Sequence, residues 1–154
     1  MNESPGPTIA TLRRALLTVA LLMLAACAGP QSTQLPELYE AALEGAQEVP
    51  SVQTAGRGLA RVEVDAGGLL QWTVSFEALS GPLTAAHVHG PAGPGQNAAV
   101  LIPLDTPAGT TSLKGQARIT PEQMTQLASG QWYVNLHTQR HPGGEIRGQL
   151  RPRR

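Results

Sequence analysis

Strict alternation of apolar and polar residues constrains this chain more than any other feature. Leu70, Trp72, Val74 and Phe76 alternate with Gln71, Thr73, Ser75 and Glu77, and Ala60, Val62 and Val64 alternate with Arg61, Glu63 and Asp65. Successive side chains of a strand point to opposite faces, so each run predicts a strand with one buried and one polar face. Gly67-Gly68 between the runs supplies what a tight hairpin turn needs. Further strands are expected at Tyr39–Glu44, Ala85–His89, Ala99–Leu104, Leu113–Ile119, Gln131–His137 and Glu145–Leu150. One segment breaks the pattern. Thr120-Pro121-Glu122-Gln123 offers a helix cap, a proline at the first helical position and a Gln that can reach back; Met124, Leu127 and Ala128 share a helical face, and Gly130 can end it. The expected fold is all-β, a Greek-key β-sandwich or barrel of about eight antiparallel strands with one short helix. With 17 Gly and 13 Pro in 154 residues, turns are well supplied.

Charge and cysteine content narrow the function. Eleven basic and 11 acidic side chains cancel, so the cationic field that displaces counterions from a nucleic acid is missing, and nucleic acid is not an expected partner. A single Cys rules out an internal disulfide framework and any Cys-based zinc cluster.

That cysteine has a specific setting. Arg13 and Arg14 precede a ten-residue apolar run, Ala15–Leu24, too short to span a ~30 Å hydrocarbon core. The run ends in Leu24-Ala25-Ala26-Cys27, which resembles a bacterial lipobox, with the thiol where lipidation needs it. The expected organisation is a lipoprotein signal peptide over 1–26, a lipidated tether over 27–36, a β domain over 37–150 and a basic tail over 151–154. Cys27 is the expected lipidation site and a membrane the expected partner. Two or three acyl chains hold far more firmly than one. The chain is therefore expected on the exported side of a cell membrane or outer membrane.

Three histidines stand out within the domain. His87 and His89 are two apart on a strand, so they share a face and stand ~6.6–7 Å apart along it. On Gln131–His137, Trp132, Val134 and Leu136 form the apolar face, leaving Tyr133, Asn135 and His137 on the polar one; on Glu145–Leu150, Ile146, Gly148 and Leu150 point inward, leaving Glu145, Arg147 and Gln149 outside. His87, His89 and His137 are thus expected outside the core on adjoining faces, with Arg147, Glu145 and Tyr133 beside them as supporting or anion-binding groups. A His-x-His pair with a third imidazole from another strand can form a site for copper or zinc. The same residues could instead hydrogen-bond surface loops. No catalytic residue is identified: Ser51, Ser75, Ser80, Ser112 and Ser129 lack a nucleophile elbow, Glu122 and Glu145 have no evident carboxylate partner, and His141 precedes Pro142 in an expected exposed turn.

Four ordered stretches resemble the CHRD domain, named after chordin: Leu43-Glu44-Gly45-Ala46-Gln47-Glu48-Val49-Pro50, Ala85-Ala86-His87-Val88-His89-Gly90-Pro91-Ala92, Trp132-Tyr133-Val134-Asn135-Leu136-His137-Thr138, and Pro142-Gly143-Gly144-Glu145-Ile146-Arg147-Gly148-Gln149-Leu150. Gln47 and His141 depart from the asparagines usual there. The resemblance implies a secreted or envelope binding domain. The His-x-His strand is also distantly similar to the copper site of Cu/Zn superoxide dismutases, Greek-key barrels in which a later strand adds a histidine and an arginine guides the anion. By position, that similarity makes His87, His89 and His137 ligands and Arg147 the anion guide. The zinc-binding loop, bridging histidine and paired cysteines of those enzymes have no counterpart here. Three readings follow: a lipid-anchored binding module with a transition-metal face, which is favoured; a dismutase-like copper enzyme; and a structural β domain.

Overall fold

The alternating runs are strands, and their apolar faces make one core. The computed structural model describes Met1 and residues 36–153; the apolar run and Cys27 lie outside the described residues. In chain order the elements are β1 (Glu37–Glu44), a 3-10 turn (Gly45–Gln47), β2 (Arg57–Val64), β3 (Leu69–Glu77), β4 (Leu83–His89), β5 (Val100–Leu104), β6 (Ser112–Arg118), α1 (Pro121–Ala128), β7 (Tyr133–Thr138), β8 (Ile146–Gln149) and β9 (Arg151–Pro152). Every pairing is antiparallel, in the order β5-β4-β7-β8-β1-β2-β3-β6. The two end strands, β5 and β6, touch, which curls the sheet into a nearly closed barrel. No helix among the described residues is long and apolar enough to cross a membrane.

The barrel interior is filled by the residues that alternation assigned inward on β2, β3, β7 and β8, joined by alternate residues of β1. Tyr39, Ala41 and Leu43 of β1, Ala60, Val62 and Val64 of β2, and Leu70, Trp72, Val74 and Phe76 of β3 are buried together with Val134, Leu136, Ile146 and Leu150. Gly68, at φ +76°, ends the β2–β3 turn in a conformation that a side chain would strain. Asp65 braces that turn by accepting from the backbone N–H groups of Gly67 and Leu69. The helix starts as expected. Thr120 Oγ1 accepts from Gln123 N–H and Gln123 Oε1 accepts from Thr120 N–H, a reciprocal capping box. Leu127 anchors the helix in the core and Gly130, at φ +68°, closes it.

Two expectations need correction. Arg151 and Pro152, assigned to a basic tail, add a short strand to β1 opposite Tyr39 and Glu40, and Arg153 lies 3.5 Å from Glu40. The outward faces of β7 and β8 are also not open to solvent. Glu145 is fully buried by Thr54, Ser80 and Thr138, and Tyr133, Asn135 and Arg147 are 2%, 5% and 2% exposed, because two loops close over them. The loop after β1 supplies Glu48, and the loop between β4 and β5 supplies Gln96 and Asn97; Asn97 Nδ2 ties them by donating to Val49 O at 3.2 Å.

Candidate functional site

Register brings the three histidines to one spot. In the β4–β7 pair, His87 lies opposite Asn135, His89 opposite Tyr133 and Ala85 opposite His137, so all these side chains stand on the barrel's outer face. His87 and His137 are diagonal neighbours, close enough for imidazoles to meet. Their ring centres are 4.9 Å apart, and those of His87 and His89 are 5.5 Å apart and perpendicular. One ligand nitrogen from each of the three lies within 4.8 Å of the others, the one such group of His, Cys, Asp or Glu among the described residues.

The partners outside the cluster fix the tautomers. His89 Nδ1 donates to Ala98 O at 3.0 Å and His137 Nδ1 donates to Pro142 O at 3.0 Å, so each Nε2 carries a lone pair. His137 Nε2 then accepts from His87 Nδ1 at 3.1 Å. Two nitrogens bound to one ion at ~2.0–2.1 Å with an angle of roughly 100° stand about that far apart. His89 Nε2 is buried without a hydrogen-bond partner. A neutral lone pair so placed accepts a proton or a cation, and the backbone carbonyls behind the rings hold them the way metal-ligating imidazoles are held. Burial, reinforced by the neighbouring imidazoles, pushes His87 below the ordinary histidine value; burial also lowers His89, against the pull of the Ala98 carbonyl. Both rings are thus kept in the ligating, neutral form. Three imidazoles with no thiolate or carboxylate suit zinc or copper and leave one position for an outside ligand.

The remaining expected residues divide into two groups. Tyr133 supports the cluster directly: its ring stacks on His89 at 4.8 Å and 3°, and its hydroxyl accepts from Ala98 N–H at 3.1 Å. Ala98 therefore holds His89 by its carbonyl and Tyr133 by its amide. Arg147 packs on the other side of Tyr133, with Cζ 3.4 Å from the ring centre, and donates to Gln96 O at 2.6 Å and Asn97 Oδ1 at 3.0 Å. It was expected outside; it is instead the buried pin of the β4–β5 loop.

Glu145 does not join the histidines. Its Oε1 accepts from Thr54 Oγ1 at 2.6 Å and Ser80 N–H at 2.8 Å, and its Oε2 accepts from Ser80 Oγ at 2.8 Å and Thr138 Oγ1 at 2.6 Å. Burial alone would raise this carboxyl, but the hydrogen bonds prevail and hold it below the usual carboxylate range. His141 likewise stands apart; its backbone closes the turn between β7 and β8.

Sequence reasoning passed over Glu48 as a site residue. Both of its carboxylate oxygens accept from Asn135 Nδ2, at 2.9 and 3.0 Å, and Asn135 lies opposite His87 in the β4–β7 pair. Burial pushes its carboxyl up to about 7, against the Arg147 charge and the bonds from Asn135 and Val49. The residue lay in plain view in the Leu43–Pro50 stretch, but alternation carries no signal for a loop that folds back over a strand.

Over residues 39–150 the chain matches the CHRD domain. No curated protein and no solved structure matches the chain.

Proposed function

The chain belongs to the CHRD domain family, and on that premise we propose that it is an envelope lipoprotein, anchored through lipidated Cys27, whose domain is a binding module that holds a transition metal on His87, His89 and His137. The observation that carries the metal reading is the unpartnered, buried Nε2 of His89 in a group whose three ligand nitrogens lie within 4.8 Å of one another. Copper or zinc fits the three imidazoles better than magnesium or calcium, which prefer oxygen. The bound ion would supply a Lewis-acidic attachment point for a partner's donor atom, and the family's broad character as a binding domain supports that use. The copper-enzyme alternative has less in its favour. Arg147, which it needs as an anion guide, is 2% exposed and engaged by Gln96, Asn97 and Tyr133.

The test is titration of the tag-free, detergent-solubilised chain with Cu(II) and Zn(II) at pH 7.5 and 5.5, beside the His87→Ala/His89→Ala variant. Protons compete with the metal for imidazole, so the proposal predicts one equivalent bound at pH 7.5, weaker binding at pH 5.5 and loss in the variant. Equal binding by variant and wild type would remove the metal from the account and leave a lipid-anchored module that engages its partner by other means.

A further inference from the structure

Among the described residues, three buried side-chain polar atoms lack a hydrogen-bond partner: Trp72 Nε1, His89 Nε2 and Asn135 Oδ1. Trp72 faces the barrel interior and stands apart. The other two are both acceptors on the same outer strip: Asn135 is the register partner of His87 and sits between Tyr133 and His137 on β7. Each unsatisfied buried acceptor is costly, and neither can satisfy the other.

The orientation of the Asn135 amide is dictated from behind. Its Nδ2 faces both oxygens of Glu48, and once that carboxyl is ionised it offers acceptors alone. Turning the amide over would place Oδ1 against a carboxylate, so Glu48 locks Asn135 with its carbonyl oxygen committed elsewhere. Gly144 makes room for this lock. A Cβ there would lie 2.6 Å from Asn135 Nδ2 and 2.7 Å from Glu48 Oε1.

We infer that Asn135 is a positioning residue of the histidine centre, its Oδ1 accepting a hydrogen bond from the water or other protic ligand that completes the coordination of the ion. The inference rests on the metal reading above and extends it: Glu48 orients Asn135, and Asn135 orients the exogenous ligand. The two orphaned acceptors then have complementary uses, His89 Nε2 for the ion and Asn135 Oδ1 for a proton on the ligand that the ion holds. A water on a cation is a stronger donor than bulk water, so a fixed acceptor beside it selects ligands that carry a proton over those that do not.

The experiment compares wild type, Asn135→Leu and Glu48→Gln by glycine-competed Cu(II) titration and Cu(II) electron paramagnetic resonance at pH 8, with folding checked by circular dichroism. Leucine keeps the branched heavy-atom outline of Asn135, though it is bulkier, and removes the acceptor together with the Nδ2 donor to Glu48. Glutamine keeps the shape of Glu48 but no longer dictates which way the amide faces. The expected result is one equivalent of Cu(II) in all three, bound roughly 10–100-fold more weakly by Asn135→Leu, with altered hyperfine splitting, and a smaller change of the same sign in Glu48→Gln. If Asn135→Leu does not fold, the Glu48→Gln spectrum carries the test. Wild-type affinity and spectrum in both variants would overturn the inference while leaving the metal site standing. Failure of wild type itself to bind Cu(II) would sink both together.

Discussion

At the scale of single residues, the buried carboxylates have opposite relations to pH. Glu145 has four hydrogen-bond donors, and its carboxyl is held below the usual range. A depressed folded value means that its contribution is present above the ordinary carboxyl pKa and is lost as pH falls through the folded one. Glu145→Gln places an NH2 against donors, so the variant should lose about 1–3 kcal/mol at pH 7, read from urea midpoints, and the gap should narrow below pH 4. Glu48 runs the other way. Its carboxyl is raised to about 7, so its protonated form is favoured in the fold, and stability is lost as pH rises from the ordinary carboxyl value through about 7. Glu48→Gln should therefore gain on wild type between pH 5 and pH 8 in the same denaturation assay; a gap that stays flat with pH would refute the assignment. Neither behaviour was legible in the sequence. It gave Glu145 no partner, because Thr54, Ser80 and Thr138 converge on it from three separate segments.

At the scale of elements, the sequence was a good guide wherever an element has a period or a cap. The inward sets on β2, β3, β7 and β8 follow from alternation, and the helix start follows from Thr120, Pro121 and Gln123. Thr120→Ala removes one half of the capping box and should cost roughly 1 kcal/mol by thermal or chemical denaturation. What alternation cannot tell is how closely two strands approach. At Gly148 a Cβ would stand 2.2 Å from Ala42 O and 2.7 Å from Leu43 Cδ2, so β1 and β8 meet there with no room for a methyl group. Gly148→Ala must push backbone aside, and a loss of about 1–3 kcal/mol is expected, larger than for Thr120→Ala. Alternation also says which residues share a face without saying what lies on it. His87, His89 and His137 stand together on the outer face as expected, whereas the burial of Tyr133, Asn135 and Arg147 came from loops that have no period to show which strand they cover.

At the scale of the whole molecule, a nearly closed barrel puts its apolar capacity inside and uses one outer strip, β4–β7–β8, as a platform for loop-covered polar groups. A platform of strands fixes imidazoles more tightly than a free loop would, and the loop carbonyls at Ala98 and Pro142 fix their tautomers. An ion that binds the folded platform and not the unfolded chain should stabilise it by about 2.7 kcal/mol at a hundredfold excess over Kd. The proposed anchor is a separate matter: if Cys27 is lipidated, Cys27→Ser should abolish incorporation of labelled fatty acid in a bacterial host without changing metal uptake. The most direct measurement of the central claim is X-ray absorption at the zinc edge of the loaded protein. The account predicts nitrogen neighbours at ~2.0–2.1 Å with the outer scattering of three imidazoles, reduced to two in His137→Ala. An all-oxygen shell, or imidazole scattering unchanged in that variant, would contradict it.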